Sequence, residues 1–404
     1  MQSLDSIDST TKSTSYKYAY NRHRRRPNDL LFIGDLDDMV DFIQGEKLDS
    51  RIIHFSGSNQ NKKKMCDGEM KVFEYKGPVY GLKSHPGFIY IPQALSRNLQ
   101  ESLVYQAVTE FCESPHATNI DLVPFKEKIE VMNEKDESMW NLWKKENFDN
   151  KYRDRSSCAD FNPAPNPKRA EKERICDGKR KFRHYKSFDK LSWATLGYQY
   201  DWTARAYREN NKSNMPRVLD QLGKIFARID VFHNKRSNNS DSTHDNQSFT
   251  SSAAIVNYYS PKSTMGGHRD DLELDFTKPV VSINLGLSAV FLLGGKTKEE
   301  GPVLPILVRS GDVMLLGGES RLNFHGMARV IPSNVPLPSV GNDLSGLCIS
   351  NFQINSWSSV LGGDSDNDYE LPKFDREAIV DFMSKHRINI NLRQVLPPSM
   401  DCIP

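Results

Sequence analysis

Paired cysteines are missing from this sequence: Cys66, Cys112, Cys158, Cys176, Cys348 and Cys402 are scattered over 404 residues with no CxxC and no regular ladder. Disulfide-built secreted domains are short and cysteine-dense, so these residues read as reduced intracellular thiols. Long apolar runs are missing too. None approaches the roughly 20 residues of a membrane helix, and the N-terminus lacks the apolar stretch of a secretory signal. A soluble intracellular protein with no membrane partner is expected, and it is expected to be a monomer. Nor is there an excess of one charge. Lys and Arg number 54 against 52 Asp and Glu, a net charge of +2, so any attraction to phosphate must come from local patches. The length allows one large or two medium domains with a well-buried core.

Residues 1–28 are rich in Ser, Thr, Tyr and Arg and end in Arg22-His23-Arg24-Arg25-Arg26-Pro27. They show no apolar periodicity, which predicts a disordered basic tail. As an address the tail reads two ways. The Arg cluster suits nuclear import, whereas Ser and Arg richness suits a mitochondrial presequence, against which Asp5 and Asp8 count. Nucleus and mitochondrion are both expected locations, with the cytoplasm left open.

Residues 29–186 read as a helical and loop extension. Met39 to Ile43 is helix-like, Lys62 to Lys64 is a polar run, and Gly87 to Pro92 has the look of a short strand. Apolar residues at Leu95, Leu99, Leu103, Val104, Ala107, Val108 and Phe111 recur at near-helical spacing, predicting an amphipathic helix on the outside of a sheet. Asp149 to Lys186 is a basic segment whose Pro163, Pro165 and Pro167 oppose regular structure.

Residues 187–398 carry the strand-like blocks Leu191 to Tyr198, Ala253 to Tyr259, Val280 to Leu293, Ile306 to Val308, Val313 to Leu316 and Ile388 to Val395, parted by turn residues. Polar insertions at 234–248 and 341–375 should be surface loops, and 399–404 is a short tail. The predicted fold is mixed α/β but mainly β, with a double-stranded β-helix (jelly-roll) core and N-terminal helices packed on the sheet.

His268-Arg269-Asp270 follows a Gly266-Gly267 turn, and residues two apart on an extended chain face the same way. The imidazole and carboxylate can therefore share one ion. His325 offers a second imidazole. Three ligands on one face of octahedral Fe(II) leave positions open for cosubstrate and O2, whereas a closed zinc site would use four protein ligands. Taken alone the triplet is weak evidence, because ten histidines make chance pairs common.

Arg387-Ile388-Asn389-Ile390-Asn391-Leu392-Arg393 alternates polar and apolar residues without a break. Its polar face ends in two arginines about 20 Å apart at roughly 3.3 Å per residue. Guanidinium binds carboxylate bidentately and stays charged, which fits a dicarboxylate cosubstrate. A solvated strand face is the alternative. Asn is poor in strands, so its presence here points to specific hydrogen bonds.

In this order the pieces resemble the AlkB family of Fe(II)/2-oxoglutarate dioxygenases. The family pattern is an NxY strand, HxD, a later His and RxNxxxR, matched by Asn257-Tyr258-Tyr259, His268-Arg269-Asp270, His325 and Arg387 to Arg393. Trp193 to Trp202, Tyr80 to Pro92 and Phe291 to Gly295 look like the first of the animal AlkB homologues. The resemblance covers roughly residues 78 to 112, 190 to 335 and 380 to 398. One departure is local: the Gly after His325 looks like the bacterial enzyme and Arg329 like the animal subgroup.

By position, the resemblance implies His268, Asp270 and His325 as catalytic iron ligands, with Asn257, Tyr259, Arg387, Asn389 and Arg393 holding 2-oxoglutarate. Arg387 would take the far carboxylate and Arg393 would sit near the metal-chelating end. Trp193 and Tyr198 would border the nucleotide, with packing at a sheet edge as their alternative. Leu272 and Glu273 fall where the family recognises the base. Leu272 stands where the bacterial protein has an acidic residue, and Glu273 is open to a second reading as a solvated loop charge. The implied cofactors are Fe(II), 2-oxoglutarate and O2, and the implied reaction removes a methyl from N-methyladenine in tRNA or DNA, giving formaldehyde, succinate and CO2. Nucleic acid is thus the expected partner, with Lys168 to His184 as candidate phosphate contacts or, since acidic residues interrupt the run, as a solvated loop. Protein (histone) demethylation or hydroxylation is the alternative that the same iron core would support.

Overall fold

A computed structural model of the chain describes residues 15–24, 38–43, 49–55, 77–122, 138–149, 188, 190–201, 205–234, 249–335, 337, 371 and 373–403. In chain order the strands are β1 (Ile52–His54), β2 (Tyr80–Leu82), β3 (His85–Ile91), β4 (Ala117–Thr118), β5 (Trp193–Asp201), β6 (Ala206–Lys212), β7 (Ala253–Tyr259), β8 (Met265–His268), β9 (Val280–Gly286), β10 (Ala289–Leu293), β11 (Leu304–Val308), β12 (Val313–Leu316), β13 (His325–Val330) and β14 (Arg387–Arg393). The α-helices are α1 (Tyr16–His23), α2 (Arg97–Thr109), α3 (Met139–Lys144), α4 (Arg217–Asn234) and α5 (Lys373–Met383).

The larger sheet runs β1-β2-β3-β12-β9-β14-β7-β5-β4, with β6 added to β5, and the smaller runs β11-β10-β13-β8. The strands from β7 to β14 are thus shared between two sheets, a jelly-roll core.

Alternation along the central strands decides what each face becomes. Ile388, Ile390 and Leu392 of β14, Val281, Ile283 and Leu285 of β9, and Ala254, Val256 and Tyr258 of β7 all enter the main apolar cluster. Leu99, Leu103 and Val104 of α2, Trp140 and Trp143 of α3, Leu222 and Phe226 of α4, and Ile379 and Phe382 of α5 belong to the same cluster. Each fully buried side chain of this size contributes roughly 1.5–3 kcal/mol. The apolar face therefore stabilises the sheet, which frees the opposite face to be polar. On that face Asn257, Ser282, Asn284, Arg387, Asn389, Asn391 and Arg393 line a cavity.

Several expectations change. The block Val280 to Leu293 breaks into β9 and β10 because Gly286 has φ +77°, a conformation that glycine alone adopts freely. The tail predicted over 1–28 is helical at Tyr16–His23, with Tyr16 and His23 buried. One anchor on each end of a polar helix produces no apolar periodicity, so the pattern could not show it. Met39 to Ile43 is not a helix. Val40 forms a parallel bridge to Ile306, its backbone bonding Pro305 O and Leu307 N at the edge of β11, and Asp41 accepts two hydrogen bonds from Arg309 at 2.7 and 2.6 Å. The 29–186 extension contributes β1 to β4 to the large sheet, of which only the strand expected at Gly87 to Pro92, overlapping β3, was read from the sequence. Helix α5 begins inside the 341–375 insertion, at Lys373. Residues 235–248, 341–370 and the basic segment from Lys168 to His184 lie outside the described residues.

Candidate metal centre and cosubstrate pocket

His268 ends β8 and His325 begins β13, and the two are register partners across that pair of strands. Their rings lie 4.4 Å apart. Asp270, two residues on, brings Oδ2 to 3.8 Å from His325 Nε2. One ligand atom from each of the three residues lies within 4.8 Å of the others. Each imidazole also has its Nδ1 against a backbone carbonyl, His268 on Gly266 O at 3.1 Å and His325 on Asn323 O at 3.0 Å. Donation of Nδ1–H to those carbonyls leaves Nε2 as the ligand atom, the arrangement that fixes tautomer and orientation in metal sites.

The electrostatics suit a cation. Burial opposes ionisation of Asp270, but Arg393, His325, His268 and Arg321 outweigh it and hold the carboxyl below its usual range. Burial, aided by His268, pushes the His325 imidazole down to about 4. A neutral imidazole and an ionised carboxylate are the forms that ligate a metal. The donor set of two nitrogens and one oxygen therefore fits Fe(II) with an open face.

Beside the triplet, β14 lies between β7 and β9 and sets residues in rows across the sheet. Tyr259, Arg387 and Gly286 form one row, and Asn257, Asn389 and Asn284 the next. Arg387 donates to Leu287 O at 2.9 Å and to Asn284 Oδ1 at 2.5 Å, and burial lowers its guanidinium to about 10. Arg393 donates to Asp270 Oδ2 at 2.8 Å and pairs with Glu273 at 3.2 Å. Among the described residues Arg387 Nε and Arg393 Nη1 are buried and find no hydrogen-bond partner, an arrangement costly unless a ligand accepts from them. The solvated strand face considered above is excluded, because both arginines are buried. Asn389 donates to Ser282 Oγ at 2.8 Å and Asn391 donates to Asn389 Oδ1 at 2.8 Å. Asn284 and Ser282 of β9 thus extend a polar face of which the spacing of Arg387 to Arg393 gave only one strand.

Triplet, arginines and asparagines line one cavity of about 430 Å³. Of the four residues expected at the substrate end, Leu272 and Glu273 line it, and Trp193 and Tyr198 do not. Trp193 is half-buried opposite Asn257. Tyr198 is buried, donates to Glu209 Oε2 at 2.5 Å, and carries the Lys212 ammonium 4.3 Å from its ring centre. In its place Tyr200 and Tyr207 line the cavity, packed edge to face with centroids 5.6 Å apart, together with Arg205. A register shift between Tyr198 and Tyr200 parts two tyrosines that regular alternation would put on one face. Glu273 is no solvated charge: its carboxylate is buried, pairs with Arg321 at 2.9 Å and accepts from Tyr207 Oη at 3.3 Å.

A jelly roll carrying two histidines, one carboxylate and a buried pair of arginines in a single cavity defines an oxygenase that uses iron and 2-oxoglutarate. The model of the 2OG-Fe(II) oxygenase superfamily matches residues 148–393. The chain belongs to that superfamily and, within it, to the AlkB proteins. It is 32% identical over 327 residues to the DNA N(6)-methyladenine demethylase ALKBH1A of Arabidopsis thaliana, covering 79% of this chain and 78% of that protein. To the nucleic acid dioxygenase ALKBH1 of Homo sapiens it is 30% identical, covering 66% of this chain and 58% of that one. To the tRNA demethylase abh1 of Schizosaccharomyces pombe it is 31% identical, covering 52% and 54%.

Proposed function

We propose that this chain demethylates N-methylated adenine in nucleic acid, taking N1-methyladenine in tRNA, N6-methyladenine in DNA, or both. The observation that carries the reading is one cavity lined at once by the metal triplet, the buried arginines and the aromatic pair Tyr200 and Tyr207. Relatives named for acting on DNA, on tRNA and on nucleic acid support the same substrate class.

In this reading His268, Asp270 and His325 hold Fe(II), which when bound supplies the dioxygen chemistry. Arg387 takes the far carboxylate of 2-oxoglutarate, with Asn257, Tyr259 and Asn389 along its length. Arg393, already on Asp270, serves the end at the metal. Tyr200 and Tyr207 offer ring faces and edges to an extruded base, and Leu272 gives the methylated ring an apolar wall. The balance is complete: one O atom of O2 goes to succinate as 2-oxoglutarate loses CO2, and the other hydroxylates the methyl carbon. The C–N bond of that hemiaminal then breaks to give formaldehyde and the N–H base.

The full chain, loaded anaerobically with Fe(II) and 2-oxoglutarate and then given oxygen, is offered methyladenine oligonucleotides of both kinds and a methylated histone peptide. Formaldehyde released in step with succinate from an oligonucleotide is expected. Release from the peptide alone would move the activity to proteins.

A further inference from the structure

Gly267 precedes the ligand His268, and Gly326 follows the ligand His325. Neighbouring residues on a strand face opposite sides, so both glycines open on the face of the small sheet turned away from the triplet. Tyr16 of α1 fills that opening. A Cβ at Gly267 would overlap the Tyr16 ring, one at Gly326 would lie 2.6 Å from Tyr16 Oη, and one at Gly294 would lie 3.1 Å from the ring. The ring is seated where three glycines supply no side chain, directly behind both imidazoles.

The strand it backs is short, and it is held in front by Met265 packing on Tyr259 and Met327 and by Arg393 on Asp270. β8 is a four-residue strand at the edge of its sheet, and only His268 with His325 and Met265 with Met327 are in register with β13, with an irregularity between them. Helix α1 is tied to the surrounding turns and strands by hydrogen bonds and by the Arg22–Asp38 ion pair at 2.9 Å. Tyr16 N donates to Lys298 O at 2.8 Å, Tyr20 Oη to Thr264 Oγ1 at 3.0 Å, and Arg329 Nη2 to Arg24 O at 3.2 Å. The Tyr16 hydroxyl, though buried, has no hydrogen-bond partner among the described residues, and the contacts with Gly267 and Gly294 are made by the ring.

We propose that Tyr16 is a positioning residue for the metal: its ring, lodged in the glycine cradle, holds β8 against β13 and fixes the separation of His268 and His325. The proposal rests on the metal reading of the triplet.

The test uses the full chain with Co(II) as the probe, read by calorimetric affinity, by the visible spectrum of the bound ion and by the melting temperature of the metal-free protein. Tyr16→Ala is expected to weaken Co(II) binding by about tenfold or more, the usual scale for a residue that orients ligands, and to alter the spectrum. Tyr16→Phe is expected to match the parent in both. If Tyr16→Ala does not fold, Tyr16→Leu, which keeps bulk but not a flat ring, is read the same way. A lower melting temperature with affinity and spectrum unmoved would make Tyr16 merely structural and overturn the proposal. So would a Tyr16→Phe protein with an altered spectrum. A parent protein that binds no Co(II) would instead overturn the metal reading itself.

Discussion

Asp270 faces a cation site on one side and the Arg393 guanidinium on the other. An isosteric amide keeps its shape and removes its charge. Asp270→Asn should therefore abolish succinate release while leaving the far-ultraviolet circular dichroism of the parent intact. Glu273 bears on stability rather than chemistry. Its carboxylate neutralises Arg321 and supports Arg393 in a buried site, and removing one member of a buried pair costs about 3–5 kcal/mol. Glu273→Ala should lose that much in urea unfolding, and a loss under 1 kcal/mol, as for an exposed pair, would return it to the surface. Arg387→Lys keeps the charge but not the fork. A hydrogen bond to a charged group contributes roughly 1.5–3 kcal/mol, so the KM for 2-oxoglutarate should rise about tenfold or more. A change in the KM for the nucleic acid alone would place Arg387 elsewhere.

Among the elements, β5 contains one backbone conformation that glycine alone adopts freely, just before the register shift that separates Tyr198 from Tyr200. Gly197 has φ +68°, and a Cβ there would collide with Ser252 O. Gly197→Ala should cost roughly 1–3 kcal/mol as backbone strain. By moving Tyr200 and Tyr207 it should also lower kcat/KM for methylated oligonucleotide and leave the KM for 2-oxoglutarate unchanged. What could be read from the sequence follows from the range of the forces involved. β14 was legible because an unbroken period of two needs no partner to be seen, and the HxD spacing was legible because residues two apart on an extended chain face one way, although β8 itself ends at His268. The choice of Tyr200 over Tyr198 was not, since a register shift against β6 makes it. Nor was α1, whose site is built from Gly267, Gly294 and Gly326, far along the chain. α4 is a different case. Val218, Leu219, Leu222, Ile225, Phe226 and Ile229 recur at helical spacing and are buried, so this helix is visible in the sequence by its apolar period alone.

At the scale of the whole molecule, the large sheet divides its labour between faces. Helices and apolar side chains on one side stabilise the fold, and the polar side shares one cavity with the metal triplet carried by the small sheet, a ligand set that a cation and a diacid complete. Ligands that bind only the folded state stabilise it by mass action, about 2.7 kcal/mol at a hundred times Kd. Co(II) should therefore raise the melting temperature, and 2-oxoglutarate should raise it further only when Co(II) is present. A crystal structure of the Fe(II)-loaded protein, grown without oxygen, bears on the central claim most directly. It should show one ferrous ion bound by Nε2 of His268, a carboxylate oxygen of Asp270 and Nε2 of His325, with the remaining positions open to 2-oxoglutarate and water. An ion bound without one of the two imidazoles, or seated away from Asp270, would contradict it.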